Sequence, residues 1–152
     1  MKILFLRHAL QLSGGIDPEL SSEGRERLHL SVEVLKKEGI SPDVIYTSPL
    51  RRAVESAEIV SKAFGSEVVV EEGLGDAFDE ARLMEIIEQA SSECIAFVGH
   101  APTMIDFVRS LGLVQIPSIP RACILLVDKL LTDGEWRYKA ISMISAEGVA
   151  RY

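Results

Sequence analysis

Ile3-Leu4-Phe5-Leu6-Arg7-His8 places four consecutive apolar side chains directly before an arginine and a histidine. An apolar run that short and unbroken reads as a strand buried on both faces, the condition of strands inside a parallel sheet. Residues 44–46, 68–70, 95–98 and 122–127 carry runs of the same kind. Between the runs, apolar residues recur at helical spacing. Gly24, Leu28, Val32 and Leu35 form one stripe, and Ala53, Ala57, Val60 and Phe64 a second. Leu83, Ile86, Ile87 and Ala90 form a third, and Met104, Phe107, Val108 and Leu111 a fourth. A last strand is expected over roughly residues 136–143. This alternation predicts a three-layer α/β/α fold with a mostly parallel central sheet. The last strands, joined without room for a helix, predict an antiparallel edge.

Composition sets the outer bounds. The 152 residues fit one domain, expected over 1–152, and suffice to bury a core. A hydrophobic share of 47% and a charged share of 26% are ordinary for a globular protein. The net charge of -7 argues against non-specific nucleic-acid binding, which needs a basic face. No apolar run is long enough to span a membrane, and the first is too short for a signal peptide, so a cytoplasmic protein is expected. Cys94 and Cys123 lie in apolar strand-like runs and are expected to be buried, reduced thiols. His29 falls mid-helix among charged residues and reads as a surface side chain.

Ligands of open α/β sheets bind outside the carboxyl ends of the strands. Arg7 and His8 follow the first strand there, and Gly99 and His100 follow the fourth. After the second, Thr47-Ser48-Pro49 reads as a helix start with Ser48 as N-cap and Pro49 at the first helical position. Arg51 and Arg52 then fall in the first turn, where the helix dipole disfavours cations. Three strand ends therefore bring two histidines and several arginines to one rim. Guanidinium groups would repel a divalent metal, and no carboxylates are spaced to offset them, so no metal is expected. No nucleophile elbow, P-loop or dinucleotide fingerprint is present, and no cofactor is implied. A dianionic phosphoryl group fits: guanidinium forks match its oxygens, and positive neighbours keep an imidazole neutral and nucleophilic.

These residues resemble the histidine phosphatase superfamily, related to phosphoglycerate mutase. Leu6-Arg7-His8-Ala9 is similar to the family's Arg-His-Gly signature, and Leu20-Ser21-Ser22-Glu23-Gly24 to its Leu-Thr-x-x-Gly helix start. Ser48-Pro49-Leu50-Arg51-Arg52-Ala53 is similar to its Ser-Pro-x-x-Arg-Ala element. Val98-Gly99-His100-Ala101-Pro102 is similar to the segment that carries its second histidine. The resemblance covers nearly the whole chain in order, and short length with Gly-His-x-Pro makes it most similar to the SixA-type phosphohistidine phosphatases. It implies a transient phosphoryl group on His8, later attacked by water. It implies that Arg7, Arg52 and His100 bind the phosphoryl oxygens, with Ala101 beside them, and that Arg52 rather than Arg51 is the clamp. The departure is Ala9, where the family has glycine; the added methyl is expected to tighten the pocket slightly.

Three functions follow from this resemblance. One is removal of phosphate from protein phosphohistidine. A second is hydrolysis of small phosphate monoesters, with Asp76 of Leu74-Gly75-Asp76 as the general acid. The third is a non-catalytic phosphate-binding module, disfavoured because no histidine or arginine of the motif is missing. Asp76 reads equally as a turn residue ahead of a helix capped near Asp79, in a glycine-flanked setting expected to hold an acid loosely. The expected partner is a phosphorylated protein or a small phosphorylated substrate. Oligomeric state is left open.

Overall fold

In a computed structural model that describes residues 1–152, the apolar runs form strands and the helical stripes form helices. In chain order the elements are β1 (Lys2–Arg7), α1 (Ser22–Lys37), β2 (Val44–Thr47), α2 (Arg51–Phe64) and β3 (Glu67–Val70). A 3-10 turn (Glu72–Leu74), α3 (Glu80–Gln89), β4 (Cys94–Gly99) and α4 (Thr103–Ser110) follow. The chain closes with β5 (Ile124–Thr132), β6 (Glu135–Ser145) and β7 (Gly148–Arg151).

All seven strands belong to one sheet in the order β3-β2-β4-β1-β5-β6-β7. The first four strands pair in parallel, and β5, β6 and β7 add antiparallel neighbours beside β1. The sheet is therefore mixed, with a larger antiparallel part than a single edge. One expected terminal strand is two, β6 and β7. The reason is that β6 buries only one face and only over its second half, so no continuous apolar run marks it. β5 and β6 join through Asp133 and Gly134, both at positive φ (52° and 79°), a two-residue Asp-Gly hairpin.

Alternate residues of β1 serve opposite faces. Ile3 and Phe5 join a cluster with Leu83 and Ile87 of α3 and Phe107 and Val108 of α4. Leu4 and Leu6 join a cluster with Leu28, Val32 and Leu35 of α1 and Ala57 and Val60 of α2. Two helices thus cover each face, giving the α/β/α layers. Cys94 and Cys123 are buried and unpaired, and burial pushes the Cys94 thiol up to about 12. No helix is long and apolar enough to cross a membrane.

The loop after β1 is pinned by the start of α1. Ser21 accepts from the Gly24 N–H (2.9 Å) and donates to the Leu10 carbonyl (2.9 Å). A Cβ on Gly24 would run into the Leu10 backbone, so glycine is what lets the helix press against the segment that follows His8.

Candidate active site

The carboxyl ends of β1, β2 and β4 meet at one rim, since Arg7 lies beside Gly99 and Thr47 beside Val98 in the ladder. His8 leaves β1 with its N–H donating to the Gly99 carbonyl (3.2 Å), and Ser48 leaves β2 with its N–H donating to the Val98 carbonyl (3.0 Å). The rings of His8 and His100 stand 5.1 Å apart, centroid to centroid. The structure thus brings Arg7, His8, Arg52 and His100 together.

His8 is buried (4% exposed) yet belongs to neither apolar cluster. Its Nδ1 lies 2.7 Å from the Ala9 carbonyl oxygen, which can only accept. Nδ1 therefore carries the proton, and Nε2 presents a bare lone pair. Arg52 Nε donates to that Nε2 from 3.4 Å. Burial lowers the His8 pKa to about 4; His100, Arg52 and Arg7 push the same way, against the raising effect of the Ala9 bond. The imidazole is neutral at pH 7 and oriented by its own backbone, the state a nitrogen nucleophile needs.

Ala9 shows what replaces glycine at this point. It is fully buried in the cluster under α1 and α2 and is not among the residues at positive φ, so alanine fits without backbone strain. Its N–H donates to Ser56 Oγ (3.0 Å), and Ser56 donates to the Arg52 carbonyl (2.7 Å). Ser56 ties the loop that follows His8 to the helix that carries Arg52. Its trace in the sequence is a lone hydroxyl inside the apolar stripe of α2, one turn after Arg52.

The two neighbouring arginines part company. Arg51 is exposed and pairs with Glu19 (3.2 Å) and Glu55 (3.3 Å), while its N–H donates to Asp17 (2.7 Å). Arg52 forms no ion pair with a carboxylate and turns to His8. The cap of α2 also differs from expectation. The helix begins at Arg51, its N-cap is Leu50, and no side chain of the cap residue bonds to it. Asp17, from the loop after β1, supplies the anion at that helix start.

Ser48 is thereby free for another contact. Its Oγ accepts from the Leu50 N–H (3.2 Å) and lies 2.7 Å from His100 Nε2. No other acceptor competes for the hydroxyl proton, so Ser48 donates to Nε2 and His100 carries its own proton on Nδ1. That Nδ1 and the Nε of Arg7 are buried donors with no hydrogen bond to the protein. Burial lowers the His100 pKa to about 4, Arg52 and Arg7 add to the drop, and Asp76 opposes it. Burial lowers the Arg7 pKa as well, with Arg121 adding to it.

Asp76 is exposed, close enough for its charge to reach His100. Its setting is not loose. Gly73 and Gly75 are buried, and a Cβ on Gly75 would sit 3.1 Å from Pro49 Cδ. Asp79 caps α3 as expected, accepting from the Arg82 N–H (3.1 Å). Ala101 follows His100 as an exposed residue of the turn into α4, and His29 is exposed on α1.

The arrangement can do one thing readily. A neutral imidazole lone pair faces inward among guanidinium and N–H donors, matching an electrophilic phosphorus and its equatorial oxygens.

Known proteins bear on this geometry. The solved structure of the protein histidine phosphatase SixA complexed with tungstate superposes with a TM-score of 0.82 at 18% identity, covering 96% of this chain and 97% of that one. A SixA from Agrobacterium tumefaciens gives 0.79 at 22% identity, covering 93% and 95%. A mycobacterial glucosyl-3-phosphoglycerate phosphatase gives 0.63 at 21%, covering 91% and 96%. These likenesses establish a shared fold. In sequence, the 2,3-bisphosphoglycerate-dependent phosphoglycerate mutase of Corynebacterium kroppenstedtii is 35% identical over 69 residues, 41% of this chain. Phosphoglycerate mutase 1 of Saccharomyces cerevisiae is 34% identical over 65 residues, 38% of this chain. The matched segment spans only about a quarter of those relatives' length (28% and 26%). The histidine phosphatase superfamily (branch 1) matches residues 3–104, the segment that runs from β1 into α4 and holds Arg7, His8, Arg52 and His100. The chain belongs to that superfamily.

Proposed function

We propose that residues 1–152 form one catalytic domain that removes phosphoryl groups from protein phosphohistidine through a phosphoryl intermediate on His8. The observation that carries the reading is the bare Nε2 of His8, held by the Nδ1–Ala9 bond (2.7 Å) and approached only by Arg52. Nε2 attacks phosphorus, the bond to the leaving ring nitrogen breaks with its electron pair staying on that nitrogen, and the substrate imidazole departs neutral because its other ring nitrogen carries the proton. Arg7, Arg52 and the Nδ1–H of His100 take the phosphoryl oxygens, with Ala101 flanking them. Water then attacks the phosphorus, inorganic phosphate leaves, and Nε2 regains its lone pair. Every step is positioning and charge neutralisation, which is most of what phosphoryl transfer asks of a protein.

The phosphohistidine class is supported by likeness of fold. The SixA–tungstate structure aligns over 96% of this chain with a TM-score of 0.82, against 0.63 for the glucosyl-3-phosphoglycerate phosphatase, so the shape of the fold is nearer to the former. A second reading rests on Asp76, whose charge reaches His100 and whose backbone is packed in place. Asp76 would then protonate the leaving oxygen of a small phosphate monoester. Turnover compared on a phosphohistidine protein, phosphoramidate and a panel of alkyl monoesters separates the two. The proposal expects the phosphoramidates to lead by at least about tenfold in kcat/KM; alkyl monoesters in the lead would replace it with the second reading.

A further inference from the structure

The arginines of this chain divide by their partners. Arg25, Arg27, Arg51, Arg82, Arg137 and Arg151 each pair with a carboxylate. Arg109 donates to the carbonyls of Ile116 (3.0 Å) and Pro117 (2.9 Å). Only Arg7, Arg52 and Arg121 have a side chain that meets neither a carboxylate nor a backbone carbonyl. The first two belong to the candidate site, and the third has no part in the chemistry proposed above.

Arg121 is fixed beside Arg7 by backbone. The next residue, Ala122, sits at φ 61°, a left-handed conformation that is unfavourable for a non-glycine residue. The Ala122 N–H donates to the Arg7 carbonyl (3.0 Å), and Arg7 N–H donates to the Cys123 carbonyl (3.3 Å). Buried Ser31 of α1 donates to the Ala122 carbonyl (2.7 Å). The turn is thus clamped from two sides in an unfavourable conformation, while the Arg121 side chain stays exposed.

The surroundings give that side chain a direction. Leu6 of β1 pairs with Ile124 of β5, and Ser145 of β6 with Gly148 of β7, so these strand ends share the rim of the candidate site. Arg121 lines a cleft there with Arg27, Met143, Glu147 and Gly148. Glu147 is engaged by Arg27, which leaves Arg121 as the cleft's uncompensated charge. Burial is the larger cause of the lowered Arg7 pKa and the Arg121 charge adds to it, so the two guanidinium groups lie within electrostatic reach of each other.

We propose that Arg121 binds a second anionic group of the substrate, a carboxylate or a further phosphate, in the cleft beside the scissile phosphoryl group. The inference rests on the reading of Arg7, Arg52 and His100 as the phosphoryl site and deepens it. On a phosphorylated protein the second group would be an acidic side chain close to the phosphorylated residue.

Calorimetric titration at fixed ionic strength tests this without requiring turnover. Methylphosphonate supplies one anion. Phosphonoacetate and 3-phosphonopropionate add a carboxylate at increasing reach, and methylenebisphosphonate adds a phosphonate. The wild type should bind at least one bifunctional probe about tenfold more tightly than methylphosphonate, the gain from one charge-assisted contact. Arg121→Ala should erase that preference while changing methylphosphonate affinity by less than about threefold, and Arg121→Lys should keep part of it. No preference for any bifunctional probe, or equal losses for all probes in Arg121→Ala, would overturn the subsite. A protein that shows the preference but hydrolyses no phosphoryl substrate would keep the subsite and sink the catalytic reading instead.

Discussion

Ser48 and His100 end different strands, yet the Ser48 hydroxyl lies 2.7 Å from His100 Nε2. The contact assigns the proton of His100 to Nδ1, the nitrogen that makes no bond to the protein. Ser48→Ala should therefore let the ring change tautomer and lower kcat/KM by about threefold to tenfold, the worth of one hydrogen bond. Nitrogen-15 NMR of His100 is the check, because a purely structural role would leave the Nδ1-bound proton in place. Ser48→Thr, which keeps the hydroxyl, should restore both signals. An unchanged tautomer in Ser48→Ala would contradict the assignment.

Arg51 and Arg52 differ by one position and by their partners. Arg52→Ala should cost about 2–4 kcal/mol of transition-state stabilisation, as removal of a single oxyanion donor does elsewhere. Arg51→Ala breaks only exposed pairs to Glu19 and Glu55 and should change kcat/KM by less than about threefold. Tungstate or vanadate should inhibit the wild type and bind poorly to Arg52→Ala. Equal losses in the two variants would show that the clamp has been assigned to the wrong residue.

Much of this is legible in the sequence. Unbroken apolar runs mark β1 and β4 because both faces of those strands are covered, and the residues that follow them reach the rim by topology alone. The antiparallel half was harder to read. β6 buries one face over half its length, so its pattern resembles ordinary polar sequence. Ser48-Pro49 has the pattern of a common helix start, but the helix begins at Arg51 and Asp17, distant in sequence, serves it. Arg121 carries no motif; its place depends on the left-handed turn at Ala122 and the ladder of β5 against β1. Local propensity describes neighbours in the chain, whereas these residues act through neighbours in space.

Acid should act on the two histidines late in the folded protein. Unfolded imidazoles titrate near about 6.5, whereas burial holds His8 and His100 to about 4. Between those values the unfolded chain binds more protons, so these groups make stability fall as pH drops from about 6.5 to about 4. Below that they add no further loss. The urea midpoint followed over this range should fall more steeply for the wild type than for His8→Gln/His100→Gln. Equal slopes would mean that neither ring is held neutral. The imidazole NMR signals of His8 and His100 should titrate with midpoints near 4.

Asp76 separates the two substrate classes. A leaving alkoxide needs a proton, and a positioned acid contributes about 10²–10⁴-fold. A phosphoramidate nitrogen is protonated beforehand, and nitrophenolate leaves unaided. For a phosphohistidine phosphatase, Asp76→Asn should change kcat/KM by less than about threefold on any of the three, with alkyl phosphates poor from the start. Efficient alkyl phosphate hydrolysis that collapses in Asp76→Asn, while nitrophenyl phosphate is spared, would make Asp76 the acid.

The phosphoryl intermediate is the centre of the account, and it can be caught. The enzyme would be mixed with phosphoramidate or a phosphohistidine protein, quenched without acid and digested for mass spectrometry. The account predicts phosphate on His8, transient in the wild type and absent from His8→Ala, whose turnover should vanish while its circular dichroism stays native. Phosphate on another residue, or full turnover by His8→Ala, would contradict it.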